Sequence, residues 1–374
     1  MTSHSSNATY HDPDYALISA FIALGAIGLV VLSSAGTALG YQLFNDSYYF
    51  IKHQLLYGFI PGIIAFFIFS KINYQLWKKF ILPLLFLSIA LLIIVFIPGI
   101  GAEFGTSKSW INIFGFSFQP SELVKLTFLL YLCTWLEKRG TYGVKDLYFG
   151  FLPFIFLLGV ISGLMLLQPD TGSLAIIIFM AISVFFASGA KIKHVAIMVL
   201  SGANAIYIII LKSPYRAARL TTFLHPELDP QGIGYHINQA FLAVGSGGLW
   251  GRGFGLSRQK FLYLPEVAGD SIFAVLGEEL GFVGTTSVVV LFVLFLLRGY
   301  AVGIRAPDYF GALLAVGIVS YIAVQSFLNI AAMLSLVPLT GIPLIFMSQG
   351  GTALFVALGS VGILVNISRH AKRS

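Results

Sequence analysis

The sequence has little charge. Asp, Glu, Lys and Arg make up 10% of its 374 residues, against about a quarter in a soluble globular domain, which argues against a soluble domain of ordinary composition. Cysteine is scarcer still: Cys133 stands alone inside an apolar run. No disulfide can form within the chain, and neither a thiolate metal site nor redox chemistry is indicated. A basic stretch before the first apolar run is missing too. Residues 1–15 are polar and lack the n-region of a secretory signal peptide, so the expectation is a short cytoplasmic tail leading into a helix that is retained.

What is present is apolar. The chain is 57% hydrophobic, with 34 Phe and 39 Gly, and its mean hydropathy is +0.90. Bulky lipid-facing rings and close-packing glycines are both common in helical membrane bundles. A hydrocarbon core of about 30 Å needs about 17–25 apolar residues per helix. Such runs fall at 16–36, 50–70, 80–98, 120–136, 149–167, 172–188, 195–211, 271–297, 310–333 and 345–367. The expected fold is therefore an all-α, polytopic integral membrane protein of about ten transmembrane helices. Residues 16–367 form one membrane domain between the N-terminal tail and a second short tail at 368–374.

The formal net charge of +7 could suggest nucleic acid, but the positions of the basic residues point to the membrane. Lys71, Lys78 and Lys79; Lys138, Arg139 and Lys145; Lys191 and Lys193; Arg298 and Arg305; and Arg369, Lys372 and Arg373 fall in alternate connections. The positive-inside rule then places both termini in the cytoplasm and leaves no role for nucleic acid. Six basic residues break the pattern by clustering in 212–270, the one long connection, between helices 7 and 8. Its recurrent Gly, Pro and aromatic residues predict a structured extracytoplasmic loop.

Three segments on that outer side carry chemistry. In the first, Pro120 suits the opening turn of a helix, and Glu122 and Lys125, three apart, share one face and can pair. Ionisable residues within a span are functional candidates, with an anchoring salt bridge as the plainer reading. In the second, Asp170 between two spans suits a helix cap. In the third, Arg252, Arg258 and Lys260 precede Glu266, Asp270 and Ser271 at the start of a span containing Glu278 and Glu279. Guanidinium and ammonium groups beside Asp270 could hold it ionised as a general base, while Asp-Ser at a helix start is also ordinary capping chemistry.

Several ordered stretches resemble a known family: SWINIFGFSFQPSELVKL at 109–126, LQPDTG at 167–172, the run from His225 to Gly255, SRQKFLYLPEVAGDSIFAVLGEELGFVG at 257–284 and LVPLTGIPLIFMSQGGTALF at 336–355. Together they are similar to the shape, elongation, division and sporulation (SEDS) family, the FtsW and RodA proteins of bacterial cell-wall synthesis. The run from Ser257 to Lys260 and the segment from Lys71 to Trp77 are closer to the FtsW, or division, branch. The resemblance implies a peptidoglycan glycosyltransferase that polymerises lipid II on the outer face of the bacterial cytoplasmic membrane. It also implies work alongside a class B penicillin-binding protein and other division or elongation proteins.

By the same resemblance Asp270 matches the family's essential carboxylate, Trp110 its outer-loop Trp, and Gln119, Pro120, Ser121 and Glu122 its QPSE motif, with Lys125 the lysine that follows. On this reading Asp270 is catalytic, and Trp110, Glu122, Lys125, Arg216, Arg219, Arg252, Arg258 and Lys260 bind substrate, the cations facing the pyrophosphate. No metal ligand set is assigned; a divalent cation, Mg or Mn, could assist, although no dense ligand motif demands one. Two departures stand out. Many members of the division branch carry a His shortly before the catalytic Asp, where this chain has Ala268-Gly269, so a helper role for that His is not expected. His236 stands where Gln is usual. Two other functions compete. A lipid II flippase would spread ionisable residues through the depth of several spans, and a non-catalytic scaffold for division proteins would have no need of Asp270.

Overall fold

The computed structural model describes residues 11–104, 107–113 and 116–371. The first ten residues of the expected N-terminal tail, and Lys372 and Arg373 of the C-terminal tail, lie outside the described residues. Each of the ten expected spans falls on a helical element. The first half comprises α1 (Tyr15–Ala35), α2 (Thr37–Phe44), α3 (Tyr49–Gln54), which a π turn at Leu55–Phe59 joins to α4 (Ile60–Lys71), α5 (Ile81–Ile94) and α6 (Pro120–Val144). Then come α7 (Leu152–Leu167), α8 (Thr171–Ala187), α9 (Ile192–Lys212), α10 (Pro214–Leu224), α11 (Ile233–Ser246), α12 (Ile272–Ile304), α13 (Tyr309–Met333) and α14 (Gly351–Arg369). By length and composition, 6 helical stretches among the described residues suffice to cross a membrane, with α5 and α8 as shorter apolar helices. The protein is a multi-pass, helical membrane protein.

Helix ends sort onto two faces. On one, Arg298 pairs with Asp14 at 2.7 Å, Lys78 with Glu137 at 2.7 Å, and Tyr74 hydrogen-bonds Asp308. The alternate basic connections lie on this face. The other carries residues 98–119, 168–170, 213–271 and 334–350 and is called here the loop face.

Two expectations change. The fold is not wholly helical: β1 (Gly101–Phe104), β2 (Ser107–Ile113) and β3 (Phe116–Phe118) form an antiparallel sheet in the order β1-β2-β3 on the loop face. The last expected span, 345–367, becomes helical only at Gly351. Pro343 and the Gly350-Gly351 pair interrupt it, and irregular backbone at such depth survives only where protein satisfies it. Buried Gln54 does so: its Nε2 donates to the Ser348 carbonyl at 3.0 Å, and its Oε1 accepts from the Gly350 N–H at 2.9 Å.

The core is built around α14, where residues 352–354 and 356–368 are buried, whereas Phe67, Phe86, Phe156 and Phe179 project outward as lipid-facing surface. Small residues let α4 and α14 touch. A Cβ on Gly362 would lie 2.6 Å from the Phe66 carbonyl oxygen, and one on Gly359 would lie 3.1 Å from the Phe69 ring. Gly362→Leu is therefore expected to cost about 1–3 kcal/mol, because a backbone neighbour cannot yield. Gly163→Leu on α7, where a Cβ meets nothing within 4 Å, should leave the unfolding temperature in detergent unchanged. Equal losses from the two variants would remove this account.

Candidate active site on the loop face

The site begins with a broken helix. At Gly281, φ 67° and ψ −163° interrupt α12, leaving a short buried segment, 272–280, between the loop and the membrane-spanning remainder. The break frees carbonyls that the preceding loop takes up. Arg252 N–H donates to the Glu278 carbonyl at 2.9 Å and Gly253 N–H to that of Glu279 at 3.0 Å, while Phe282 N–H donates back to Gly248 at 2.9 Å. A Cβ on Gly251, itself at φ 79°, would lie 2.1 Å from the Glu279 carbonyl oxygen, so only glycine admits this approach.

The side chains of Glu278 and Glu279 then collect the loop. Glu278 accepts from the Ser257 hydroxyl at 2.6 Å and from the backbone N–H of Arg258 at 3.0 Å and Gln259 at 3.1 Å. Glu279 Oε1 accepts from Ser34 Oγ at 2.6 Å and Lys260 Nζ at 3.0 Å, tying the loop to α1. Lys260 is 3% exposed and also donates to the Gly255 carbonyl at 2.7 Å. Arg252 lies 3.6 Å from Glu278. These contacts change the expected picture of three cations gathered at Asp270. Two adjacent buried carboxylates need compensation, and Lys260 and Arg252 supply it, away from Asp270. Arg258 is exposed.

The base side of the site is assembled from four elements. Asp270 closes a tight turn in which the Gly269 and Ser271 N–H groups donate to the Glu266 carbonyl. Its own backbone carbonyl accepts from Asn329 Nδ2 of α13 at 2.8 Å. Asp270 does not cap α12: the cap position is Ser271, whose side chain makes no capping bond. The Ser271 hydroxyl instead sits 3.3 Å from Asp270 Oδ1 and 2.6 Å from His236 Nε2 on α11. His236 Nε2 is 4.0 Å from Asp270 Oδ1.

Burial pushes the Asp270 carboxyl up to about 6, against the opposing pull of the Ser271 hydrogen bond and the positive Arg219 of α10. Burial likewise raises Glu266, with the neighbouring Asp270 adding to it, and lowers His236 to about 4. Cations thus do not hold Asp270 fully ionised, as expected from sequence. It is instead poised near neutrality, a useful position for a general base.

The second half lies on α6. Glu122 and Lys125 do share a face and pair: Lys125 Nζ is 2.7 Å from Glu122 Oε1 and 2.6 Å from Gln325 Oε1. Gln325 and Asn329, four apart on α13, share a face and link the ion pair to the Asp270 turn. Both also donate into the irregular 340s segment, to Pro343 and Ile342 respectively. Asp170 caps α8 through the Ser173 N–H at 3.0 Å, and also accepts from Ser121 Oγ at 2.9 Å and Gln119 Nε2 at 3.2 Å. Trp110 lies on β2 opposite Ala102. Arg216 and Arg219 are three apart on α10, and Arg219 Nη1 donates to the Leu339 carbonyl at 3.3 Å.

Asn329, Gln325 and Ser271 are the participants not singled out from sequence. Two polar side chains four apart in an otherwise apolar span were the available signal. Among the described residues no group of three His, Cys, Asp or Glu side chains is placed to hold a metal ion.

Comparison with known proteins agrees with this architecture. The family model for FtsW, RodA and SpoVE, described as cell cycle protein, matches residues 15–373. Stage V sporulation protein E of Bacillus subtilis (strain 168) is 40% identical over 363 residues, covering 96% of this chain and 98% of that one. A probable peptidoglycan glycosyltransferase FtsW of Geobacter sp. (strain M18) is 38% identical over 359 residues, covering 96% and 97%. Among solved structures, a chain of a peptidoglycan synthase complex that coordinates polymerization and crosslinking superposes with a TM-score of 0.80 at 25% identity, covering 97% and 99%. The rod shape determining protein RodA of Thermus thermophilus gives 0.71 at 25% identity, covering 97% and 98%. Matched over nearly its whole length, the chain belongs to the FtsW/RodA/SpoVE family of cell cycle proteins.

Proposed function

We infer that this chain is a peptidoglycan glycosyltransferase that polymerises lipid II into glycan strands. The observation that carries the reading is a buried carboxylate, Asp270, poised near pH 6 on a turn braced by four elements and facing the Arg219 guanidinium. Asp270 takes the proton of the acceptor sugar's hydroxyl. The freed oxygen forms a bond to the donor's anomeric carbon, and the bond from that carbon to the undecaprenyl pyrophosphate breaks. Charge develops on the leaving pyrophosphate, and Arg219 with Arg216 one turn earlier supplies the opposing charge. Lys125 is already neutralised by Glu122 and serves the site through Gln325, while Trp110 and Arg258 offer contacts at its edge. The three-ligand cluster a protein-held Mg or Mn would use is absent among the described residues, so no step is routed through a cation.

On this reading the loop face is the outer face of the bacterial cytoplasmic membrane, because the opposite face carries the basic connections, and both termini are cytoplasmic. The partner is a class B penicillin-binding protein, a role consistent with the synthase complex that the chain resembles. Transport is the weaker reading: apart from the Glu122 and Lys125 pair, the buried charges of the described residues gather at the loop face rather than along a route through the bilayer. The test is polymerisation of lipid II by purified protein, with and without its transpeptidase partner. Labelled lipid crossing proteoliposomes with no strand formed would overturn the assignment.

The working state of Asp270 is the ionised one. Because its folded value is raised to about 6, kcat/KM should hold at neutral pH and fall about tenfold per pH unit below about 6. His236, lowered to about 4, stays neutral across that window. Initial rates across this range test this; a limb near the ordinary carboxylate value would show that Asp270 is not so poised.

A further inference from the structure

Ser271 occupies the cap position of α12, where a serine hydroxyl ordinarily accepts a hydrogen bond from the first helical turn. Here it makes no such bond. It is held from the other side, 2.6 Å from His236 Nε2, and lies 3.3 Å from the Asp270 carboxylate. His236 is kept in place by its own helix. Asp229 accepts from Gly232 and Ile233 N–H at the start of α11, and Gly247 at its other end lies so close to α12 that a Cβ would meet the Gly277 carbonyl oxygen at 2.0 Å.

We propose that His236 is a positioning residue for Asp270, acting through Ser271, so that an ordered chain of donors points at the carboxylate. With Asp270 ionised, His236 Nε2–H donates to Ser271 Oγ and the Ser271 O–H donates to Asp270 Oδ1. That tautomer leaves one donor for each acceptor in the chain. The charged groups facing Asp270 are Arg219 from α10 and Glu266 from its own turn, with His236 from α11. Asn329 of α13 holds its backbone rather than its carboxylate. Among these neighbours Ser271 supplies the hydrogen bond that favours the charged form, and it keeps that orientation only while His236 holds it.

The inference rests on Asp270 being the base, and its test separates the two claims. Removing His236 frees the Ser271 hydroxyl to rotate, which should raise the Asp270 pKa by about half a unit to one unit, the worth of one hydrogen bond to a charged group. The acid limb of the pH-rate profile should move up by that amount in His236→Ala and equally in Ser271→Ala, with no further shift in the double variant. His236→Gln, whose amide nitrogen can reach the place of Nε2, should restore the wild-type profile. Difference infrared titration of the carboxyl, wild type minus Asp270→Asn, reads the same shift without substrate. It therefore decides the positioning claim even if lipid II is not polymerised. Unshifted titrations in His236→Ala and Ser271→Ala, or shifts that add in the double variant, would overturn it. Should His236→Ala fail to fold, Ser271→Ala alone and with His236→Gln carries the same test: the first must shift, and the second must add nothing.

Discussion

Asp270→Asn should lower the rate of glycan-strand formation from lipid II by about 10²- to 10⁴-fold, the range that a positioned general base contributes. The amide is nearly the same size and can still accept from Ser271, and the Asn329 bond to the residue 270 carbonyl involves only backbone. The variant should therefore fold and bind as the wild type does, confining the loss to kcat. Removing the buried carboxyl with its raised pKa should also remove the acid limb from whatever activity remains. Strands formed at the wild-type rate by Asp270→Asn would refute the base assignment outright, whereas a collapse in unfolding temperature would show that the carboxylate is structural.

The second large effect concerns stability. Lys260→Met leaves Glu279 buried at 1% exposure without its cation, and breaking a buried pair by removing one partner costs about 3–5 kcal/mol. Ser34 on α1 loses a shared partner as well, since Lys260 Nζ donates to it at 2.8 Å. Adding Glu279→Gln should recover most of that loss, because the double variant leaves no lone charge. Polymerisation should follow stability in both. If Lys260→Met melts at the wild-type temperature and binds lipid II more weakly, Lys260 is a pyrophosphate ligand, as its place in the sequence suggested, and the anchoring account fails.

These cases separate what composition could reveal from what it could not. The Glu122 and Lys125 pair was legible because both residues lie on one helix, where a spacing of three fixes their meeting. The roles of Arg252, Arg258 and Lys260 were not. Counting cations near Asp270 along the chain ignores Glu278 and Glu279, whose demand for compensation is felt only once α12 breaks at Gly281 and the loop folds against it. Ala268-Gly269 gave no hint of an imidazole beside Asp270, yet His236, more than thirty positions earlier, arrives there because α11 crosses α12 at a glycine.

The apolar runs alone determined a helical bundle in a membrane, since a 374-residue chain with 10% charge has no other way to satisfy its backbone in lipid. Alternating basic connections sorted its ends onto two faces, and local motifs marked Asp270. Only the tertiary structure decided which charges face each other. Pairing between distant segments depends on where helices break and cross, here at Gly281, Gly247 and Gly350, and hydrophobic periodicity carries no record of those contacts.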